Sequence, residues 1–206
     1  MGTHLINQAW MNYLTPLIGI DQMSEQTEEY LRNAYCIAAQ SRDKSNQNGS
    51  VLVSSNNEII ATGNNNFPTG VEFTEERSTV RPDKYRYFEH AERAAIYQAA
   101  RAGSKVYAST MYVPWAACCD CARAIINSGV LVVVMHRERM QMTPERWQSS
   151  VNEALEMLVE AGVQLSYHGG VVEGAPDVLV NGELWNPANP PITDGSGNFF
   201  TDLGVM

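Results

Sequence analysis

Residues 106–135 read VYASTMYVPWAACCDCARAIINSGVLVVVM. Two apolar runs, Val106 to Val113 and Val130 to Met135, bracket a cysteine cluster and a short amphipathic stretch that ends at Gly129. Strand-length runs on either side of a helix predict a strand–helix–strand unit whose second strand is buried on both faces. Downstream, Thr143 and Pro144 predict a helix start, and Trp147, Val151, Leu155, Leu158 and Val159 stripe one face up to Gly162. Val163 to Tyr167 then predicts another strand. Upstream, a helix from about His90 to Ala102 stops at Gly103, after a long polar loop from Gly63 to about Phe88. Before it, Val51 to Val53 and Ile59 to Ala61 flank Asn56 and Asn57 as a hairpin. A first helix from Ser24 places Leu31, Ala34, Tyr35 and Ala38 on one face. The alternation predicts a mostly parallel sheet with helices on both faces. Residues 24–168 form the expected domain, 1–23 a helical arm, and 169–206 an extension draped over it.

The chain has 206 residues, 44% hydrophobic and 18% charged, which suits a folded domain and excludes wholesale disorder. Fourteen Lys and Arg against 23 Asp and Glu give a formal charge of −9. That sign repels phosphate backbones at long range and argues against a dedicated polynucleotide binder, while leaving room for a small basic pocket. No apolar run approaches the ~20 residues of a membrane span, and the N-terminus lacks the pattern of a secretory signal. Cys118, Cys119 and Cys121 lie within four positions of one another, with Cys36 apart, a poor disulfide framework but a plausible metal site. The expected compartment is a reducing cytoplasm.

His90 and Glu92 open one helix, and Cys118 and Cys121 open another. Zinc takes nitrogen and sulfur donors in a tetrahedron, and catalytic sites use three protein ligands. Two cysteines three apart at a helix start point to one side, where the positive helix end favours thiolates. His90 supplies a third donor. Glu92, two residues on, lies near the metal without binding it and is placed to move protons. The spacing follows the His-x-Glu…Pro-Cys-x-x-Cys pattern of zinc-dependent nucleobase deaminases, except that Ala117 stands where the pattern has proline. A closed structural zinc knuckle is the alternative; it would need Cys119 as a fourth ligand and would leave Glu92 unexplained.

The stretches at 61–70, 85–92, 110–113 and 118–126 make the chain similar to the deoxycytidylate (dCMP) deaminase family of the cytidine deaminase superfamily. The resemblance runs from about Leu31 to Val163. It implies a three-layer α/β/α fold around a mixed, mostly parallel five-stranded sheet. It also implies hydrolytic deamination of dCMP to dUMP and ammonia by a zinc-bound hydroxide, with Glu92 as proton shuttle. Zinc is assigned by the resemblance to His90, Cys118 and Cys121, and substrate contact to Asn65 and Ala91. Homo-oligomers, dimeric or hexameric, are implied, with dCTP and dTTP as regulators. The regulatory segment commonly reads Gly-Tyr-Asn-Gly, whereas here Asn64 and Asn66 replace the tyrosine and the second glycine. Residues 114–117 depart as well. A related small substrate (a modified dCMP, a nucleoside or another base), a polynucleotide, and a non-catalytic zinc module remain alternatives.

Trp115 offers an apolar face that could wall a base pocket or simply pack in the core. Lys84, Arg77, Arg81 and Arg86 bring positive charge just upstream of His90, and Arg86 is the preferred phosphate ligand. Cys36 is read as packing, Cys119 as a spacer, and His4, His136 and His168 as non-metal histidines.

Overall fold

The computed structural model describes residues 25–190; the arm expected at 1–23, His4 and the end of the extension lie outside them. The described chain runs α1 (Glu25–Ala38), β1 (Gly49–Val53), β2 (Ile59–Asn64), α2 (Glu75–Thr79), α3 (Asp83–Tyr87), α4 (Ala91–Ala102), β3 (Thr110–Tyr112), α5 (Cys119–Ser128), β4 (Val132–His136), α6 (Arg137–Gln141), α7 (Glu145–Glu160), β5 (Gln164–His168), β6 (Val178–Val180) and β7 (Glu183–Trp185). Five strands form one sheet in the order β2-β1-β3-β4-β5. β1 is antiparallel to both β2 and β3, while β3, β4 and β5 are parallel. Four strands therefore point one way and β1 points the other. No helix among the described residues is long and apolar enough to cross a membrane.

Side chains alternate across the pleat, so each strand feeds two cores. Leu52, Met111, Val133 and Met135 face α4, α5 and α7, where Ala95, Ala99, Ala122 and Ala154 allow close packing. Val51, Val53, Tyr112 and Val134 face α1 and pack with Tyr30, Leu31 and Tyr35. The part of the extension that is described belongs to this second core: Val172, Val178, Val180 and Trp185 are buried in it.

Several expectations shift. The strand expected at 106–113 shrinks to Thr110–Tyr112 because Ala108 adopts φ 64° and the amide of Ser109 turns back to the Val106 carbonyl. Thr143 does not cap α7; Pro144 holds that position, and the Thr143 hydroxyl donates to the Met140 carbonyl at 2.6 Å. The long loop contains α2 and α3, with Phe67, Phe73 and Phe88 packed ring against ring. Cys36 is exposed rather than packed. His136 and His168 are core histidines: the Tyr35 hydroxyl lies 2.6 Å from His136 Nδ1, and His168 Nε2 lies 2.9 Å from the Val171 carbonyl.

Candidate active site

α4 and α5 both start at the edge of the sheet's helical face, with His90 and Cys118 as their N-caps. Neither residue caps its helix through its side chain, so both side chains are free to face each other. Cys118 Sγ lies 3.5 Å from His90 Nδ1, Cys121 Sγ lies 3.6 Å from it, and the two sulfurs are 3.7 Å apart. Zinc bonds of about 2.3 Å to sulfur and about 2.0 Å to nitrogen, at tetrahedral angles, separate two sulfurs by about 3.8 Å and sulfur from nitrogen by about 3.5 Å. The three donors fit one zinc ion with no rearrangement. Among the described residues these three form the metal-capable cluster. Cys119 turns away, its thiol 3.2 Å from the Ser150 carbonyl.

The two thiols hydrogen-bond to each other. The hydrogen bond from Cys121 is the main cause that holds Cys118 down, at about 3. Cys121, donating that bond in a buried position, is held well above the ordinary thiol range. Burial pulls the His90 imidazole down, but the bond to Cys118 and the charge of Glu92 outweigh it and leave it raised. Arg93 ties the cluster to its surroundings: Nη1 lies 3.5 Å from Cys121 Sγ, and the guanidinium pairs with Glu89 at 2.5 Å. Its positive charge sits where thiolates need it.

Glu92 is 2% exposed, and its Oε2 has no hydrogen-bond partner. Burial raises its carboxyl to about 7, against the lowering effect of His90. A carboxyl near neutrality can both take and return a proton at ordinary pH. Glu92 lines a cavity with His90, Asn65, Trp115 and Trp147.

Asn65 is buried at the end of β2, its amide donating to the Asn46 carbonyl at 2.9 Å and its Oδ1 accepting the Ala91 amide at 3.0 Å. The Ala91 N–H is thus engaged by Asn65 and Ala91 does not line the cavity. The Trp115 indole lies edge-on to Trp147 and donates to Thr143 Oγ1 at 2.8 Å. Arg86, the expected phosphate ligand, has an exposed guanidinium that pairs with Asp83 at 2.9 Å, and it is not among the residues lining this cavity. Arg77 stacks on Tyr87 instead. Besides Glu92, the charged side chains that line the cavity are Arg81, Lys84, Arg146 and Asp43. Lys84 is buried and bonded to Asp43 at 2.6 Å and to Ser45 Oγ at 2.8 Å. Arg81 and Arg146 have no carboxylate partner among the described residues. Sequence reading missed Asp43, Ser45, Asn46, Asn48 and Arg146; the sole local cue was a polar run entering a strand.

The model of the cytidine and deoxycytidylate deaminase zinc-binding region matches residues 24–137. The chain belongs to this family. As a member it is a hydrolytic deaminase. Human deoxycytidylate deaminase is 28% identical over 130 residues, 61% of this chain and 72% of that protein. The mouse protein of the same name is 31% identical over the same shares. The deoxycytidylate deaminase of phage T4 is 51% identical over 45 residues, 22% of this chain and 23% of that one. In structure, the dCMP deaminase of cyanophage S-TIM5, solved with dCMP and dUMP, shares the fold with a TM-score of 0.55 at 20% identity, covering 71% of this chain and 99% of that one. Family membership fits the α/β sheet and helices described above.

Proposed function

We propose that the protein deaminates dCMP to dUMP, with residues 24–168 as the catalytic unit and 169–206 as its extension. The observation that carries the reading is the buried Glu92 carboxyl, with one oxygen unpartnered, on a cavity wall beside three donors at zinc spacing. His90, Cys118 and Cys121 would hold zinc, which when bound would supply the Lewis acidity that activates water. Glu92 takes a proton from the attacking water and delivers it to N3 of cytosine as oxygen bonds to C4. It then takes the proton of the hydroxyl now on C4 and carries it to the exocyclic amine as the C4–N4 bond breaks, so that water is consumed and ammonia leaves.

Asn65, fixed by Asn46 and Ala91, presents its edge to the sugar or base, and Trp115 with Trp147 walls the base. The Lys84 charge is balanced by Asp43, so Arg81 and Arg146 are the groups left to meet the 5′-phosphate. A single phosphate needs one or two such groups. The residues at 64–66 and 114–117 motivate a second reading, a related small substrate such as a modified dCMP, a nucleoside or another base. The Asn64 side chain donates to the Ile37 carbonyl at 3.1 Å. With dCMP as substrate we place the protein in the cytoplasm as a homo-oligomer; sedimentation velocity on the full chain checks the oligomeric state.

Purified protein assayed against dCMP, CMP, dCTP, deoxycytidine and dAMP tests the reading. The expected result is highest kcat/KM on dCMP, with deoxycytidine penalised for its missing phosphate. Turnover of a non-cytosine substrate alone would contradict it.

A further inference from the structure

Arg139, on α6, is 1% exposed, and no carboxylate among the described residues pairs with it. Its Nη1 has no hydrogen-bond partner. An unpaired charge in a core is costly, and an apolar side chain of similar volume packs there without that penalty. The residue therefore needs a reason beyond packing, and its neighbours supply one. The guanidinium lies 4.4 Å from the centroid of the Trp115 ring, the geometry of a cation–π contact. Its Nη2 donates to Asn46 Oδ1 at 3.1 Å. Trp115 and Asn46 both line the substrate cavity, while Arg139 does not reach it.

Asn46 is a junction. Its Oδ1 also accepts the Asn181 amide at 3.0 Å, and its carbonyl accepts Asn65 Nδ2, which leads to the Ala91 amide between His90 and Glu92. Asn181 and Gly182 form the two-residue turn between β6 and β7, with φ of 54° and 89°. Both central residues in the left-handed region match the hairpin turn that suits strand twist. This hairpin grips the loop before β1. The Gln47 amide donates to the Leu179 carbonyl and the Leu179 amide to Gln47 Oε1, both at 2.8 Å; the Gly182 amide donates to the Ser45 carbonyl at 2.8 Å. Asn181 Nδ2 donates to the Met142 carbonyl at 3.0 Å, just past α6. The hairpin and α6 thus hold the pocket loop and the indole wall in one frame, and the hairpin lies outside the stretch matched by the family model.

We propose that Arg139 is a positioning residue for the substrate pocket, locking Trp115 and Asn46 together, with the 178–185 hairpin as the clamp that keeps Asn46 in place. The proposal rests on the cytosine-nucleotide reading of the cavity. It acts on binding geometry and leaves the metal donors untouched.

The test is steady-state kinetics on dCMP for R139M, R139K and N181G beside wild type, with bound zinc, Tm and tryptophan emission measured on each. In R139M, KM is expected to rise by about tenfold, the scale of one lost charge-assisted or cation–π contact, with kcat changed far less. Zinc content is expected to stay at the wild-type level and the emission spectrum to shift as the cation leaves the indole. R139K keeps the charge and should recover part of the KM loss. N181G keeps the left-handed turn, removes one clamp bond, and should raise KM by a smaller factor. If R139M fails to fold, R139K and N181G carry the test. Unchanged KM with unchanged emission would overturn the proposal, as would a loss of activity that simply follows lost zinc or lost folded protein. Wild type inactive on every cytosine nucleotide would instead overturn the substrate reading, and the emission spectra would then decide alone whether Arg139 holds Trp115.

Discussion

On one face of the sheet α4 rests on β2 at Gly63, where an added Cβ would collide with the backbone of Ala91 and Ala95; on the other, α1 rests on β1 at Gly49, where it would collide with Ala34 and Ala38. The two faces use the same close approach for different ends. The Gly63 face sets the start of α4, and with it His90 and Glu92, against the cysteines of α5. The Gly49 face uses α1 and the extension to bury Tyr35, Val178 and Trp185. From that second face the 178–185 hairpin reaches over to the pocket loop. Chemistry is thus concentrated on one side of the sheet, and the frame that shapes the substrate cavity is braced from the other.

The largest effect expected from breaking this division is at a metal donor. C121S is expected to lose bound zinc and all measurable turnover while keeping the α/β circular-dichroism signature, since the Gly49-side core does not depend on it; metal analysis and assay check both. G63A and G49A come next, as a matched pair. Each is expected to lose about 1–3 kcal/mol from overpacking. G63A should also lower kcat in the fraction that remains folded, because it displaces the helix carrying Glu92, whereas G49A should leave kcat per folded molecule intact. Denaturant unfolding alongside kinetics separates the two. Equal kinetic damage from both would erase the distinction between the faces.

The smallest effect is electrostatic. Burial would raise the Glu138 carboxyl, but the His136 imidazole 3.0 Å away and the hydrogen bonds from Arg137 prevail and hold it at about 2. Its folded value lies below its unfolded one, so its contribution to stability is present above the unfolded value and fades as pH falls through the folded one. E138Q is expected to melt a few degrees below wild type at pH 7, with the gap closing from about pH 4.5 towards pH 2. Melting curves across that range check it; a gap independent of pH would point to lost packing instead.

The same division explains what could be read from the sequence. His90 and Glu92, or Cys118 and Cys121, lie within one turn of a helix start, so their spacing carries their geometry. The apolar runs of β1, β4 and α7 were legible for the same reason, since local periodicity reports burial. The pocket's second half depends on long-range pairing. Lys84 meets Asp43 across 41 positions, and Arg139 meets Asn46 across 93. Nothing in either local stretch announces the other. The helical turn of α3 sends Lys84 inward and Arg86 out to Asp83, a difference that their shared polar and aromatic neighbourhood does not announce. The hairpin did carry a cue, Asn181–Gly182 between Val178–Val180 and Glu183–Trp185, hidden within a stretch whose Gly, Pro and Asn content reads as irregular.

In the proposed mechanism His90, Cys118 and Cys121 hold zinc while Glu92 moves the protons. The most direct measurement is zinc content and dCMP turnover of E92Q beside wild type. One zinc per chain is expected in both proteins, with a fall in kcat of ~10²–10⁴-fold in E92Q, the range expected when a positioned acid–base group is removed. E92Q that retains zinc and deaminates at the wild-type rate would contradict it.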